Sequence, residues 1–304
     1  MLLARSFSEI SLDRPALLTI GTFDGVHRGH RYLLEQAHAR ATEHGYGLVI
    51  VTFEPCPAVV LRPALGRYQL TSAAQKLKLL EAVDPAVVAM LEFTPALSLL
   101  IAEEFMDALE AQVQLQEVWF GEDFRFGRDR GGDLRMLVER GRESGFSLHV
   151  VNRRTEDKAS ISSSRIRQAI AAGDVATAMP LLGYPFAREC QEPQAGRWLD
   201  EMTEAARCAV PEYLTLPADG IYAVLASQGD GLPRKSVAAI SASDANSQMV
   251  VKGDVWADEP LTVEFIDRIT SMESYLSDPA AWEARAFDQL GHWERPEYDP
   301  IGEY

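Results

Sequence analysis

The stretch LLTIGTFDGVHRGHRYLL, residues 17–34, decides the fold of this 304-residue chain. Its first residues form a continuous apolar run, which is typical of a strand buried on both faces of a parallel sheet. Three glycines, Gly21, Gly25 and Gly29, follow in a turn, and a helix is predicted over residues 28–44. The stretch therefore predicts a strand, a glycine-rich turn and a helix in direct succession, which is the unit of α/β folds.

Strand-like and helix-like segments alternate through the first half of the chain. Strands are predicted at 16–21, 47–53, 86–91, 117–121 and 146–151. Helices are predicted at 28–44, after the capping pair Thr71-Ser72, at 101–111 and at 133–143. Such spacing predicts βαβ crossovers, so we expect an α/β fold with a doubly wound parallel sheet. Ligands of these sheets bind beyond the carboxyl ends of the strands, where Gly21, Phe53 and Gly121 lie.

The pattern changes in the second half of the chain. The segment EPQAGRW, 192–198, has the proline, glycine and charge of a linker. Short strands are predicted beyond it at 220–226, 236–242, 247–256 and 261–269. A last helix is predicted at 279–290, and a polar tail covers 294–304. This spacing predicts a smaller β-barrel-like or sandwich domain. We therefore expect two domains, residues 1–186 and 187–304.

The composition narrows the classes of function. The chain carries a net charge of −16, and residues 183–304 hold 9 Lys and Arg against 22 Asp and Glu, a net of −13. An acidic surface repels phosphates at long range, so we expect no nucleic-acid partner, whereas a small anion can bind in a local pocket of the first half. No apolar run is long enough to span a bilayer and no signal-peptide core is present, so we expect no membrane partner and a cytoplasmic location.

Three cysteines are present, without a CxxC pair. Their odd number and their spacing favour inert buried thiols over a disulfide framework or a zinc site, and no metal ligands are predicted.

Two histidines, His27 and His30, stand where the first strand turns into its helix. Free N–H groups and the positive end of the helix dipole favour phosphate oxygens there, and both imidazoles can donate hydrogen bonds to a polyphosphate. Metal ligation remains an alternative, although helical metal pairs are usually spaced i, i+4 and no third ligand is obvious nearby. Surface or structural histidines are the other alternative.

A second group of polar residues lies in KASISSSRIRQAI, residues 158–170. Its serines supply hydroxyl groups and a helix N-cap, and Arg165 and Arg167 add cationic forks that suit phosphate oxygens. The alternative is a capped helix with solvated arginines. Because the segment follows the last predicted parallel strand, its loop can approach the turn after the first strand.

These motifs together resemble the prokaryotic FAD synthetases, which are bifunctional riboflavin kinase/FMN adenylyltransferases of the nucleotidyltransferase superfamily. The resemblance covers about residues 16–186. It is carried by GTFDGVHRGH and, in the family's order, by VTFEPCPAVVL, QLTSAAQKLKLLEAVD, EEFMDAL, WFGEDFRFGRDRGGD and ISSSRIRQAIAAGDVATAMPLLGYPF. It implies a Rossmann-like nucleotidyltransferase fold and transfer of AMP from ATP, with Mg²⁺, to the phosphate of FMN, giving FAD.

The resemblance also implies which residues form the site. Those expected to act on the phosphates as catalytic residues are His27, His30 and Arg167. Those expected to bind the nucleotide are Gly21, Thr22, Phe23, Asp24, Gly29, Ser162, Ser163 and Ser164. Those expected to line the flavin site are Phe53, Pro55, Cys56, Asp123, Phe124 and Phe126. For the aromatic residues, ordinary core packing is the alternative.

The chain departs from the family pattern in two places. The family usually has histidine within TFxPHP, and Cys56 stands there; a thiol is a poor hydrogen-bond donor and carries no positive charge. In the second half, the segment 204–217 lacks the phosphate- and metal-binding GFPTAN stretch, and SQMVVKGDV has no clear match to the catalytic glutamate of the kinase.

We therefore expect the kinase half to be degenerate and inactive. It would then serve as a scaffold, or as a surface for a protein partner or a second copy of the chain. Two other hypotheses remain: nucleotidyl transfer to another phosphorylated acceptor, and a non-catalytic protein that binds flavin or nucleotide.

Overall fold

The computed structural model describes residues 1–152, 155–156, 159–199, 203–229, 231–241, 248–253 and 259–295. The chain forms two compact units, Met1–Ile161 and a second that begins at Ser162. The structure divides the chain after Ile161, whereas the sequence predicted a domain boundary between residues 186 and 187. The two helices within residues 162–186 group with the second unit.

The first unit is a parallel α/β sheet. Its six strands are β1 Leu2–Ala4, β2 Ala16–Ile20, β3 Gly47–Glu54, β4 Val87–Glu92, β5 Leu115–Gly121 and β6 Ser147–Val151. Its α-helices are α1 Arg28–His44, α2 Pro57–Leu61, α3 Ala73–Glu81, α4 Pro95–Ser98, α5 Ala102–Glu110 and α6 Leu134–Ser144. A separate two-stranded ladder joins β7 Thr155–Glu156 to β8 Ala159–Ser160.

The order of the sheet is β1-β4-β3-β2-β5-β6, and every pair of neighbours is parallel. The chain builds outward from β2 through β3 to β4 on one side, and then returns to place β5 on the other side of β2. This reversal of direction makes the carboxyl ends of β2 and β5 the topological switch point, where open α/β sheets bind their ligands. The doubly wound parallel sheet predicted from the sequence is confirmed.

Both faces of the sheet are buried, which explains the continuous apolar runs. Along β2, Leu18 and Ile20 belong to the cluster that packs against α5 and α6, whereas Leu17 belongs to the cluster that contains α1 and α3 residues. A strand covered on both sides buries every residue, and all five residues of β2 are buried. The edge strand β1 was not predicted because it has only three residues.

The helix boundaries follow local capping rules. The helix α1 ends at Gly45, which has a left-handed φ of 69° as the C-cap. Ser72 caps α3, and its hydroxyl and the Gln75 side chain exchange hydrogen bonds with backbone N–H groups in a capping box. Both boundaries were predicted from the sequence and are confirmed.

The second unit is a curled antiparallel half-barrel with helices. Its strands are β9 Phe186–Cys190, β10 Gln194–Arg197, β11 Glu204–Ala209, β12 Gly220–Gln228, β13 Arg234–Ser241, β14 Gln248–Lys252 and β15 Leu261–Thr270. Its helices are α7 Ser163–Ala171, α8 Val175–Leu182, α9 Met272–Ser277 and α10 Pro279–His292. The strand order is β10-β11-β14-β13-β12-β15-β9.

One prediction for this unit is wrong. The segment 192–198 is not a linker, because β10 lies within it and pairs with β11. Its glycine and proline mark an edge strand with turns, a pattern that resembles a linker in sequence. The strand predicted at 247–256 is β14, and residues 247 and 254–256 lie outside the described residues, as do residues 296–304 of the polar tail.

The core of this unit joins its terminal helices to the sheet. Buried Trp198 donates its indole N–H to the hydroxyl of Tyr275 on α9 at 2.7 Å, and that hydroxyl donates to Glu283 on α10. Cys190 and Cys208 share a hydrogen bond although their strands stand far apart in the sheet order, which reflects the curl of the sheet. All three cysteines are free and buried, as expected. Among the described residues, no helix combines the length and the apolar character needed to cross a membrane.

A buried carboxylate ties α1 to strand β5 of the first unit's sheet. Glu117 on β5, with a side chain only 5% exposed, accepts hydrogen bonds from Arg40 at 3.0 Å and from the Trp119 indole at 2.8 Å. The imidazole of His149 on β6 lies 3.3 Å away. Burial raises the pKa of Glu117, but the hydrogen bonds from Arg40 and Trp119 outweigh it and lower the pKa below its ordinary value of 4.5.

We predict that Glu117→Gln lowers the free energy of unfolding of the first unit by about 2 kcal/mol at pH 7, because it removes a buried charged acceptor. A group whose pKa is lowered by folding stabilises the fold above its unfolded pKa. That stabilisation is lost as the pH falls, so the difference from wild type should shrink below about pH 4.5.

Urea unfolding of both proteins between pH 3 and pH 8 measures this. Glu43→Gln is the matched control, since Glu43 also pairs with Arg40 but is 70% exposed. A difference that stays constant with pH would contradict the role given to the ionised carboxylate.

Candidate active site

The turn after β2 has an unusual backbone. Phe23 and Val26 have positive φ values of 46° and 31°, and Gly25 between them has 80°. Non-glycine residues rarely adopt this region, and such strain concentrates at functional sites. Gly21 is needed for close approach, because a Cβ there would lie 2.8 Å from the Phe23 ring.

The two histidines of the turn lie against each other. Their rings stack with centroids 3.6 Å apart and an angle of 16° between planes. His27 is also the N-cap of α1, since its Nδ1 accepts a hydrogen bond from the backbone N–H of His30 at 3.3 Å. A neutral His27 ring therefore carries its proton on Nε2, where it can donate to a ligand.

This arrangement suits an anion. The first turn of α1 offers backbone N–H groups and the positive end of the helix dipole next to both imidazoles. Gly29 lies in that first turn, and a Cβ there would press on the His27 ring at 3.2 Å. We call residues 21–27, between β2 and α1, the glycine turn. The structure thus brings together His27, His30 and the glycine turn at the switch point of the sheet.

Among the predicted nucleotide-binding residues of the turn and the start of α1, Phe23 and Asp24 are buried, and the other three, Gly21, Thr22 and Gly29, are half-buried. Asp24 is 1% exposed and its Oδ1 accepts hydrogen bonds from the backbone N–H groups of Leu70 and Thr71, at 2.8 and 3.3 Å. The backbone oxygen of Thr22 accepts a hydrogen bond from Thr52 at 3.0 Å. Phe23 is 2% exposed and meets the His30 ring edge-on at 5.3 Å. Their part in binding a nucleotide stays a prediction.

The carboxyl end of β3 carries a second group of predicted site residues. The Glu54–Pro55 peptide bond is cis, and Cys56, 3% exposed, follows as the residue before α2. The backbone N–H of Cys56 donates to the side-chain oxygen of Gln69 at 2.8 Å. Fully buried Lys76 pairs with Glu54 at 2.9 Å and donates to the backbone oxygen of Phe53 at 2.6 Å.

The aromatic residues expected at the flavin site form one cluster. Phe124 stacks on Phe126 with ring centroids 5.2 Å apart, and Phe126 meets Phe105 at 5.8 Å. Phe53 lies 6.1 Å from the same Phe105 ring. Phe126 is 7% exposed and belongs to the core, whereas Phe53 and Phe124 are half-buried and Asp123 is exposed. The flavin role of these residues stays a prediction.

The remaining predicted residues begin the second unit. Ser162 is the N-cap of α7, and its hydroxyl accepts a hydrogen bond from the backbone N–H of Arg165 at 3.3 Å. Ser163 and Ser164 form the first turn of α7, and Arg167 is half-buried on the same helix. Within the described ranges, no three His, Cys, Asp or Glu side chains are grouped so that they could hold a metal ion.

The sequence interpretation missed the polar residues behind the site. Gln69 and Lys76 are 0% exposed and Thr71 is 4% exposed. All three lie in QLTSAAQK, but polar residues in a loop and on a helix normally predict solvent exposure. The sequence signal for them was that QLTSAAQKLKLLEAVD is one of the stretches that carry the family resemblance.

Known proteins are similar to this chain in sequence. The family model for FAD synthetase matches residues 9–165, which is more than half of the chain. The bifunctional riboflavin kinase/FMN adenylyltransferase of Escherichia coli (strain K12) is 34% identical over 212 residues, 68% of this chain and 67% of that one. The protein of the same description from Pseudomonas fluorescens is 33% identical over 282 residues, 87% of this chain and 88% of that one.

A solved structure has a similar fold. The crystal structure described as a macrolide-efflux protein from Streptococcus pneumoniae gives a TM-score of 0.82 at 22% identity, covering 96% of this chain and 99% of that chain. At this identity the likeness concerns the fold alone.

We predict that His27 has a stability role that can be measured apart from any ligand. His27→Ala removes the N-cap acceptor of α1 and should lower the free energy of unfolding by about 1 kcal/mol. His27→Asn supplies a side-chain oxygen that can accept the same hydrogen bond, so it should restore wild-type stability or exceed it. Thermal unfolding of the two variants measures this, and equal midpoints for Ala and Asn would contradict the capping role.

Proposed function

The chain belongs to the FAD synthetase family, and on this premise we propose that its first unit transfers AMP from ATP to FMN, giving FAD and pyrophosphate. The observation that carries the proposal is the pair of stacked imidazoles at the start of α1, beside the glycine turn at the switch point of the sheet. A site of this kind suits a polyphosphate better than an uncharged ligand.

The reaction requires the protein mainly to align the two substrates and to neutralise the charge on their phosphates. The second pKa of a phosphate monoester is about 6, so the FMN phosphate is already an anionic nucleophile at neutral pH. One of its oxygens attacks the α-phosphorus of ATP, the bond from that phosphorus to the bridging oxygen breaks, and pyrophosphate leaves with the bonding electrons. Positioning and electrostatic stabilisation therefore provide the catalysis.

We assign the chain's residues to these tasks. His27 donates from Nε2 to the phosphates of ATP, and His30 acts beside it. Ser162, Ser163, Ser164 and Arg167 bind the phosphates as well, through hydroxyl groups and a guanidinium fork at the start of α7. Mg²⁺ would come as part of the Mg·ATP substrate and would supply positive charge to the phosphates beside these residues.

The flavin ring is assigned to the end of β3 and the loop after β5. Phe53 and Phe124 are half-buried aromatic side chains there, and such faces suit the isoalloxazine plane. Pro55, Cys56, Asp123 and Phe126 complete the proposed lining. These assignments follow the family resemblance and the placement of the residues at carboxyl ends of strands.

For the second unit we propose that riboflavin kinase activity is lost. The segment 204–217 stands where the family carries its phosphate- and metal-binding stretch. On β11 this segment buries Ala205, Ala206 and Cys208, whose side chains have no oxygen to offer a metal and no hydroxyl to offer a phosphate. We further propose a cytoplasmic location, where ATP and FMN are available, and a protein partner or a second copy of the chain at the acidic second half.

One assay tests the main proposal. Purified protein is incubated with Mg·ATP and either FMN or riboflavin, and the products are separated by chromatography. We expect FAD from FMN and no FMN from riboflavin. The variant His27→Asn, which keeps the cap, should fold normally and lose turnover by about 100-fold. If no FAD forms from FMN, the proposed activity is refuted. If FMN forms from riboflavin, the proposed loss of the kinase activity is refuted.

A second assay concerns Cys56. If a third imidazole at this position helps to neutralise the phosphates, Cys56→His should raise kcat for FAD formation by about 10-fold. Cys208→Ser in the second unit is the control and should leave kcat unchanged. A variant that folds and shows no gain would mean that the thiol does not limit the rate.

A further inference from the structure

A short buried segment lies between the two groups of predicted site residues in the first unit. It consists of Gln69, Leu70 and Thr71, just before the N-cap of α3, and we call it the 69–71 strap. The exposed fractions of its residues are 0%, 1% and 4%. Polar groups buried to this extent need hydrogen-bond partners, and the partners of the strap belong to the site.

On one side the strap holds the glycine turn after β2. The backbone N–H groups of Leu70 and Thr71 donate to Oδ1 of Asp24, at 2.8 and 3.3 Å. In the opposite direction, the backbone N–H of Gly25 donates to the hydroxyl of Thr71 at 3.3 Å. These bonds hold a turn whose backbone is strained at Phe23 and Val26.

On its other side the strap holds the end of β3 and the residues that follow it. The side-chain oxygen of Gln69 accepts a hydrogen bond from the backbone N–H of Cys56 at 2.8 Å. Its amide nitrogen donates to the Glu54 carboxylate at 2.9 and 3.1 Å and to the backbone oxygen of Thr71 at 2.7 Å. Lys76 neutralises the same carboxylate at 2.9 Å.

Gln69 is therefore the one side chain of the strap that bonds both to the segment after β3 and to the strap's own backbone. An apolar residue in its place would leave the buried N–H of Cys56 and one side of the half-buried Glu54 carboxylate without their present partner. A buried polar group without a partner costs more free energy than its hydrogen bond contributes to stability. We therefore expect the segment to shift until these groups bond to water or to another partner.

We propose that Gln69 is a positioning residue that sets the glycine turn and residues 54–56 relative to each other, so that the two substrates meet in line. This rests on the proposed function, which puts ATP at the turn and FMN at the end of β3. Adenylyl transfer depends on alignment, and a displacement of about 1 Å can cost about 100-fold in rate. Gln69 would therefore act on both substrates without touching either.

The test compares Gln69→Leu with the control Gln36→Leu, the same substitution at a half-buried position on α1. For Gln69→Leu we expect KM for ATP and KM for FMN each to rise about 10-fold and kcat to fall at least 10-fold. The control should keep all three values within 2-fold. A residue that only stabilises the fold would lower the unfolding midpoint and the active fraction but leave both KM values unchanged, and this outcome would overturn the proposal.

A charge exchange provides a rescue that does not depend on the leucine variant folding. Gln69→Glu alone sets two carboxylates side by side and should lower kcat/KM more than Gln69→Leu does. The double variant Glu54→Gln/Gln69→Glu again pairs one donor with one acceptor at the net charge of the wild type, but the backbone oxygen of Thr71 loses its donor and Lys76 loses its paired carboxylate at position 54. It should therefore recover kcat/KM in part, by about 10-fold relative to Gln69→Glu, and stay below wild type. No recovery would count against the proposal.

Direct binding separates this proposal from the proposed function. FMN binding is measured by quenching of its fluorescence, and binding of a non-hydrolysable ATP analogue by calorimetry, for wild type, Gln69→Leu and Gln36→Leu. Wild-type protein that makes no FAD while Gln69→Leu weakens both ligands would refute the activity and keep the strap. Active wild-type protein, with both affinities unchanged in Gln69→Leu, would refute the strap and keep the activity.

Discussion

The buried carboxylate of Asp24 is the interaction on which the candidate site depends. It lies at the carboxyl end of the central strand and accepts two backbone hydrogen bonds from residues 70 and 71. These bonds hold a turn in which Phe23 and Val26 have positive φ values, a geometry that the local sequence would not keep on its own. The direction in which α1 leaves the sheet follows from that turn, and so does the placement of the paired imidazoles.

Most of the first unit's architecture could be predicted because its rules are local. A strand that is buried on both faces needs an unbroken apolar run, as β2 and β3 show. Helix ends are set by single residues with a known preference, such as Ser72 at the start of α3 and Gly45 at the end of α1. The glycine turn stood out because glycines at a strand–helix junction let a ligand approach the backbone, and the free N–H groups of the helix start lie beside two histidines.

The remainder depends on contacts between residues that are distant in sequence. Nothing local shows that Gln69 bonds to the peptide of Cys56, or that Lys76 is fully buried beside Glu54, since both residue types are usually exposed. The edge strand β10 was missed for another reason. One side of an edge strand meets no neighbour, so it tolerates the glycine and proline that otherwise indicate a linker.

The helix α1 begins on a residue that is a poor choice for the helix itself. Asparagine, aspartate and serine are the preferred N-caps, and histidine is not among them, yet the imidazole of His27 takes that place. Selection for stability alone would have replaced it. Under the proposed function, the chain keeps a weaker helix start because a ring that can donate to a phosphate is needed at the same point, so the first turn of α1 gives up some durability for binding.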